Sequence, residues 1–432
     1  MIISKNFFAK LRRKYYAFFP KNILGEDISE KIKYEIDLVD KENIFFGYHD
    51  RKPFNKSSEL VLSHRSNGTD LDIGFFNLNS KKKEFIKVGS SNAFSSQQGA
   101  MLQWDYRFKN NTINYNILEK NVAKNISIDI NSLEKVAMID KPIYCMNRNS
   151  SLGLSCNFYY LSKNRPGYGI ENRDYKNVLN YSNDGIFLID RDNEDIKLLA
   201  SYEYLAEISK SSSRNLYINH LSFSPLDHYA IWFLIDENTS SRNIYFQGMS
   251  LGDNKKVFNI EINRKVSHFC WVGEHKIFAV NRDSSLQWHY SIYDLSTFQR
   301  EDIFKSDFDG HPMFDSKTNR VLIDTTPDPK LFQHLLQFDI CSKNLYQLNK
   351  LRLDNNYLEG IIPESFCQLT PYTDTLAIPD FGTGECCYYY DIRNITLNDN
   401  KLCRPYPSCF NFYVTIIASG TEHFLGSQNC ER

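Results

Sequence analysis

The sequence predicts an all-β fold, a β-propeller of seven blades with eight blades as the alternative, and two observations favour it. Aromatic residues make up 14% of the 432 residues, and aromatic side chains favour strands over helices. A phrase also recurs along the chain, in which an apolar strand ends in a small or acidic residue plus Leu or Ile and runs into a polar turn. Seven copies lie 44 to 61 residues apart, about the length of one four-stranded blade. They are Phe76-Asn77-Leu78, Ile128-Asp129-Ile130, Leu188-Ile189-Asp190, Met249-Ser250-Leu251, Tyr293-Asp294-Leu295, Phe338-Asp339-Ile340 and Tyr390-Asp391-Ile392.

A second set of phrases runs out of step with the first and marks the opposite end of each blade. Each is interpreted as the opening of an innermost strand, where the crowded centre of a propeller requires small or apolar residues. The set comprises residues 47–50, 98–104, 149–158, 218–225, 266–271, 309–314 and 403–407. No linker rich in Pro, Gly or Ser divides the chain, so residues 31–432 are predicted to form a single propeller domain.

Residues 1–30 are predicted to lie outside the repeat and to contain a short amphipathic helix. Within residues 5–19, aromatic and leucine side chains share one helical face and basic side chains lie largely elsewhere. This pattern is typical of a helix at the inner surface of a membrane, and the alternative is a helix packed on the propeller rim.

Composition excludes some partners. The formal net charge of −1 offers no global field to bind nucleic acid, so none is expected. No secretory signal and no apolar stretch of membrane-spanning length is present, and the ten cysteines lack zinc-ribbon spacing. We therefore expect a cytoplasmic protein with reduced thiols, peripheral at the inner membrane if residues 5–19 bind there.

Three histidines recur at the blade period. His220, His268 and His311 are 48 and 43 residues apart, so equivalent positions on successive blades would present three imidazoles to one mouth of the central channel. Imidazole is a common ligand for zinc, manganese and iron-group ions, which makes a divalent metal site a reasonable prediction. The alternative for each histidine is a structural hydrogen bond at a strand start.

Other candidate residues suit a saccharide. Arg165 and Tyr168 belong to a long glycine-containing insertion that could cover a ligand and hold a carboxylated sugar. Asp324 ends an apolar strand and is a candidate base or ligand, with a turn cap as the alternative. No phosphate loop or other nucleotide motif appears. The remaining predicted substrate-binding residues lie at the openings of the inner strands, with core packing as the alternative for the tryptophan: Tyr48, His49, Gln103, Trp104 and Asn219.

Several phrases between residues 44 and 340 resemble the oligogalacturonate-lyase-like propellers, including those found among bacterial surface-polysaccharide biosynthesis genes. The phrases are GYHD, QQGAMLQW, RPGYG, INHLSFSP, SHFCW and DGHPMFDSKTNRVLIDTTPD followed by FQHLLQFD. The resemblance implies seven blades, a manganese-type ion bound by histidines and a glutamine, and cleavage of uronate-containing oligosaccharides by β-elimination. It assigns the metal to His268, His311, Gln333 and His334. This sequence departs from the family pattern at Tyr406, a position where such propellers often have a histidine.

Three functions remain open from the sequence. The first is a metal-assisted lyase of surface-glycan metabolism, with Arg165, His220 or Asp324 in catalysis. The second is a membrane-associated glycosyltransferase that builds a repeat unit on a lipid-linked saccharide. The third is a propeller that binds glycans or serves as a scaffold without catalysing a reaction.

Overall fold

The computed structural model describes residues 44–352 apart from 68, 83, 110, 171–178, 214, 238–241, 253–254 and 327–331, together with residues 359–361 and 401–403. The chain divides into two compact units. One is Ile36–Ile303, and the other combines Met1–Glu35 with Phe304–Arg432.

The described part of the Ile36–Ile303 unit is built from five four-stranded antiparallel sheets, each of which has the form of a propeller blade. The first two blades consist of β1 (Ile44–Phe45), β2 (Leu60–Ser66), β3 (Leu71–Asn77), β4 (Phe85–Ser91), β5 (Gln103–Trp104), β6 (Thr112–Glu119), β7 (Val122–Asp129) and β8 (Lys135–Ile139). The next three consist of β9 (Cys145–Met146), β10 (Leu152–Ser155), β11 (Gly185–Asp190), β12 (Asp195–Ser201), β13 (Leu216–Phe223), β14 (Tyr229–Asp236), β15 (Asn243–Ser250), β16 (Val257–Glu261), β17 (Lys265–Trp271), β18 (Lys276–Arg282), β19 (Trp288–Asp294) and β20 (Gln299–Ser306).

The described part of the second unit holds one further blade and a short parallel pair. The blade orders its strands β21-β22-β23-β24, and the pair joins residues distant in sequence. The strands are β21 (Gly310–Asp315), β22 (Arg320–Thr325), β23 (Phe332–Asp339), β24 (Leu345–Arg352), β25 (Glu359–Ile361) and β26 (Lys401–Cys403).

The recurring phrase marks the end of the third strand in every described blade, where β3, β7, β11, β15, β19 and β23 end. Its polar residue closes the following turn. The Asp129 carboxylate accepts a hydrogen bond from the Asn131 N–H at 2.8 Å, and Asp294 does the same for Ser296 at 2.9 Å. Asn77, Asp190 and Asp339 bond the N–H two residues ahead in the same way. In these five copies the phrase is thus an Asx turn between the two outer strands of a blade.

The propeller prediction is confirmed, and the blade count is corrected. The described residues form six four-stranded sheets rather than seven or eight. Six copies of the phrase lie on these six blades, and the seventh, Tyr390-Asp391-Ile392, lies outside the described residues. The predicted amphipathic helix in residues 1–30 also lies outside them. The single-domain organisation stays a prediction.

The interpretation of the second set of phrases as the openings of innermost strands was only partly correct. Residues 98–104 lead into β5, and residues 218–225, 266–271 and 309–314 fall largely on β13, β17 and β21, the first strands of their blades. Residues 47–50 follow β1 instead of opening it. Residues 149–158 lie beyond β9, on a turn and on the second strand β10. The inner strand β9 of this blade is two residues long and ends before residue 149.

Two helices occur among the described residues, one between β10 and β11 of the third blade and one in the connection from β12 to β13 of the fourth. The helix α1 (Phe158–Asn164) is capped by the Asn157 side chain, which accepts the Tyr160 N–H, and α2 (Tyr202–Ser209) is capped in the same way by Ser201. Phe158 and Leu205 join the large apolar core of this unit. Neither helix is long and apolar enough to cross a bilayer.

Candidate functional site

Three imidazoles surround one tyrosine in the Ile36–Ile303 unit. The ring centroids of His49, His220 and His268 lie 4.7, 5.0 and 6.3 Å from that of Tyr48. The Tyr48 hydroxyl and His268 Nε2 are 3.0 Å apart and share a hydrogen bond. The Tyr48 ring is nine-tenths buried, so its hydroxyl is held in a largely water-poor environment. A phenol joined to an imidazole in this way is a pair through which a proton can pass.

Bulges in two inner strands position the histidines. The pairing of β13 with β14 shifts between Asn219 and Ser222, and His220 within the shift has a left-handed φ of 52°. The pairing of β17 with β18 shifts between Val266 and His268. An extra residue in one strand re-aims the side chains beside it, and a left-handed non-glycine residue persists only where its surroundings hold it.

The buried Tyr144 hydroxyl holds the His220 backbone. It accepts hydrogen bonds from the His220 N–H at 2.9 Å and from Gln98 Nε2 at 2.6 Å, and it donates to Asn219 Oδ1 at 2.9 Å. Burial, with a smaller contribution from the Asp50 charge, raises the pKa of Tyr144 well above its ordinary value. The phenol therefore stays protonated and remains a donor.

The insertion after β10 brings Tyr168 against the same cluster. Its ring meets those of Tyr48 and His220 edge-on, with centroids 5.9 and 6.0 Å apart. The N–H of Gly169 donates to Gln98 Oε1 at 3.2 Å, which ties the insertion to the network beneath it. Gly169 has a φ of +74°, and a Cβ there would lie 2.3 Å from the Phe158 carbonyl oxygen, so the close approach requires glycine.

An aspartate and an arginine follow His49 directly and are largely buried. The Arg51 guanidinium lies 5.0 Å from the centroid of the Tyr144 ring, and Arg51 Nη2 is 3.6 Å from Asp50 Oδ2. Burial raises the pKa of Asp50, against an opposing effect of Arg51. The Asp50 charge raises the pKa of Arg51, although burial alone would lower it. The site thus carries a cation and an acid beside its tyrosines.

The predicted residues of the second unit form a separate group. The Asp324 carboxylate accepts hydrogen bonds from the His311 N–H and from His311 Nδ1, both at 2.8 Å. Burial alone would lower the pKa of His311, but Asp324 raises it. His334 Nδ1 lies 3.3 Å from Gln347 Oε1, and Gln333 precedes it on β23. Asp324 on β22 therefore pairs with His311 on β21, which is one of the predicted metal ligands.

The other predicted residues have structural contacts. The Gln103 amide donates to the backbone oxygens of Met101 and Tyr144 and accepts from the Met146 N–H. Trp104 is buried in the core and donates to the Pro53 oxygen, in line with its core-packing alternative. The Arg165 guanidinium lies 5.6 Å from the Tyr168 ring centroid. Substrate binding by these residues stays a prediction.

A metal site is not formed by the residues that the structure describes. None of their groups of three or more His, Cys, Asp or Glu side chains is arranged to hold an ion. His268 belongs to one unit and His311, Gln333 and His334 to the other, so the predicted set stays a prediction as a whole. Within the described residues, His268 Nε2 instead faces the Tyr48 hydroxyl.

Four residues of the site had not been singled out from the sequence. Gln98 and Asp50 stand inside the second set of phrases, which was a usable signal, whereas Tyr144 lies outside every phrase. Arg51 follows the GYHD phrase by one position. Gln98 acquires its role through Tyr144 and Asn219, which lie 46 and 121 positions away.

The fold is similar to those of solved propeller structures. An oligogalacturonate lyase in complex with manganese has a TM-score of 0.51 at 12% identity, over 73% of this chain and 80% of that chain. An oligogalacturonate lyase from Vibrio parahaemolyticus has a TM-score of 0.49 at 11% identity over the same shares. A putative 6-phosphogluconolactonase from Bacteroides uniformis has a TM-score of 0.42 at 10% identity, over 69% of this chain and 84% of that chain. At such identities, the similarity to the manganese complex shows the propeller fold alone.

Comparison by sequence is silent: no protein-family model and no curated protein matches the chain.

Proposed function

We propose that this propeller is a carbohydrate-active enzyme of bacterial surface-polysaccharide metabolism that cleaves uronate-containing oligosaccharides by β-elimination. The observation that carries the proposal is the hydrogen-bonded Tyr48–His268 pair, with His49 and His220 around the same phenol. The similar fold of a solved oligogalacturonate lyase, and the resemblance of several phrases to that kind of propeller, support the choice of substrate class.

The chemistry needs one base and one acid on a carboxylated sugar. The base removes the proton at C5, beside the carboxylate, and the electron pair of that bond forms the C4–C5 double bond. The bond between C4 and the glycosidic oxygen breaks, and the acid gives its proton to the leaving oxygen. No water is consumed, so the products are an unsaturated uronate and a shortened sugar.

His220 is the proposed base. A neutral imidazole accepts protons near neutral pH, and the Tyr144 hydroxyl holds the backbone that carries this one. Tyr48 is the proposed acid, since its hydroxyl is held by His268, which can restore the phenolic proton after each turnover. Arg165, beside the Tyr168 ring, is proposed to contact the saccharide. An arginine stays protonated in proteins, so it is a poorer base than a histidine.

The proposed setting is the cytoplasmic face of the inner membrane. It is supported by the amphipathic pattern of residues 5–19, which lie outside the described residues, and by the resemblance to surface-polysaccharide gene products. The proposed substrate is then an oligosaccharide or a lipid-linked saccharide on that face.

The test is an elimination assay on the purified full chain with galacturonate and other uronate oligosaccharides, with and without added manganese. The unsaturated product is detected by its ultraviolet absorbance and by mass spectrometry. We expect product from the wild type, its loss in Tyr48→Phe and His220→Gln, and its retention in His228→Gln. His228 is a matched control because it is exposed and paired with Glu274 outside the cluster.

Other outcomes would redirect the proposal. Turnover of a nucleotide sugar without any unsaturated product would favour the transferase. Glycan binding without turnover of either kind of substrate would leave a binding propeller. A product that has gained water would identify hydrolysis and overturn elimination.

A further inference from the structure

The Asp50–Arg51 pair lacks the hydrogen bonds that a buried ion pair requires. The side chains are 14% and 10% exposed, yet their nearest charged atoms are 3.6 Å apart, beyond hydrogen-bond distance. Asp50 Oδ1 and Arg51 Nε are buried and have no hydrogen-bond partner among the residues that the structure describes. In the described part of the chain, the Arg51 guanidinium donates a weak hydrogen bond from Nη2 to Met101 Sδ at 3.9 Å. A buried charge in this condition is costly and calls for an explanation.

The same unit contains a buried arginine whose carboxylate bonds are made. Arg191 Nη2 donates to Asp105 Oδ2 at 2.8 Å and to Ser127 Oγ at 3.1 Å, and Nη1 donates to the Ser150 oxygen at 2.7 Å. Of its nitrogens, Nε has no partner among the described residues. Under-bonding is therefore a local property of Asp50 and Arg51 and is not shared by every buried pair of this fold.

The position of the pair indicates a ligand. Arg51 lies over the ring of Tyr144, whose hydroxyl holds the His220 backbone, and Asp50 is two residues from Tyr48. Asp50 also acts electrostatically on Tyr168. The free donor and the free acceptor thus lie among the residues proposed to move protons, where an incoming molecule could complete their bonds.

We propose that Arg51 and Asp50 form the subsite for the uronate ring, with Arg51 binding the sugar carboxylate and Asp50 accepting a hydrogen bond from a sugar hydroxyl. A guanidinium binds carboxylates through two parallel N–H donors, and an acidic sugar carries both required groups. A neutral sugar lacks the anion that Arg51 would pair with. The inference rests on the proposed function for the identity of the sugar and goes beyond it in assigning the residues that select an acidic one.

The experiment compares binding of trigalacturonate with binding of its methyl ester, which has the same sugar without the charge. Calorimetric titrations use full-length protein carrying Tyr48→Phe, so that the ligand is not consumed. In that background we expect trigalacturonate to bind about tenfold or more tightly than the ester. Arg51→Gln should remove the difference, and Arg51→Lys, which keeps the charge but loses the planar donors, should retain part of it.

Arg107→Lys is the matched control. Its side chain is 9% exposed and bonded to Asp105, so it shares the burial of Arg51 outside the subsite. It should keep the full preference for the acid. Thermal unfolding checks that each variant is folded, and Arg51→Lys carries the test if Arg51→Gln does not fold.

The results separate this inference from the proposed lyase activity. Binding that prefers the acid through Arg51, in a chain that never produces an unsaturated product, supports the subsite and sinks the lyase. Elimination that continues with unchanged acid preference in Arg51→Gln supports the lyase and overturns the subsite. Equal binding of the acid and the ester by the chain with native Arg51 also overturns the subsite.

Discussion

Two buried aspartate–arginine pairs in one unit are built in opposite ways. Asp105 and Arg191 are both fully buried and lie 86 positions apart, on the second and third blades, with a bond of 2.8 Å. Asp50 and Arg51 are neighbours in one loop and are 3.6 Å apart. The Arg191–Asp105 pair gains Ser127 and a backbone oxygen as partners, whereas the pair at Asp50 leaves two buried atoms without a partner in the described part of the chain.

The different hydrogen bonding of the two pairs indicates that they have different roles. An ion pair taken out of water offsets its desolvation only when close geometry and further hydrogen bonds satisfy both charges. Arg191 meets that condition and joins neighbouring blades. Arg51 does not meet it, since its carboxylate partner is the neighbouring residue at 3.6 Å, so its bonds are reserved for a ligand under our proposal. Substitutions at the two pairs should therefore differ in their effects on stability and on function.

The largest expected effect is on stability at the satisfied pair. Arg191→Gln should lower the free energy of unfolding by about 3 kcal/mol or more, because it leaves Asp105 buried without its closest cation. Arg51→Gln should lower the free energy of unfolding by less than about half of that amount, since the Arg51 side chain makes few hydrogen bonds that the substitution could remove. Urea unfolding of both variants beside the wild type measures the two changes. Equal losses would contradict the contrast.

The next effect is on catalysis. Tyr48→Phe removes the hydroxyl bonded to His268 and keeps the ring, so elimination should fall about 100-fold or more while the free energy of unfolding changes by about 1 kcal/mol or less. The measurement is initial rate against substrate concentration, together with urea unfolding. Tyr115→Phe, which alters a buried phenol of the second blade, is the control for burial. A similar loss of rate in that control would assign the effect to packing.

Asp50→Asn should stabilise the protein at neutral pH, by about 1 kcal/mol. Burial raises the pKa of Asp50 above its unfolded value, so the folded chain binds the proton more tightly. Stability is therefore lost as the pH rises from the unfolded pKa through the folded one, and the substitution removes this loss. Unfolding of both proteins from about pH 3 to about pH 7 should show the gain disappear in acid. A loss of stability at neutral pH would mean that the charge is already well satisfied.

The smallest effect is expected at the exposed pair in the second unit. Burial would lower the pKa of His311, but Asp324 raises it, so the pair stabilises the fold below the unfolded pKa of about 6.5 and this contribution disappears as the pH rises through the folded value. Because about half of the Asp324 side chain is exposed, the gain should stay below about 1 kcal/mol. Unfolding of Asp324→Asn and wild type at about pH 5.5 and about pH 8.5 tests this. A difference of equal size at both values would exclude the titration as its cause.

The repeat was readable from the sequence because the bonds that create it are local. Asp129 and Asp294 each close a turn with an N–H only two residues ahead, so the same few letters recur wherever a third strand ends. The polar cluster near the inner strands was also partly foreseen, since His220 and His268 do surround Tyr48. Three predictions about the blades were wrong, because no local sequence signal marks where the inner strands begin or how many blades there are. The inner strand of the third blade has only two residues, residues 47–50 follow β1, and the described blades number six.

The site required contacts that no local pattern records. Tyr48 meets His268 across 220 positions, and Tyr144 meets the His220 N–H across 76. The left-handed backbone of His220 and the bulge around it follow from the pairing of β13 with β14, not from a residue preference, because non-glycine residues avoid that conformation. The blades could therefore be predicted from the sequence because their turns are closed by local hydrogen bonds. Which histidine, phenol and arginine lie together depends on the packing of strands that are distant in sequence.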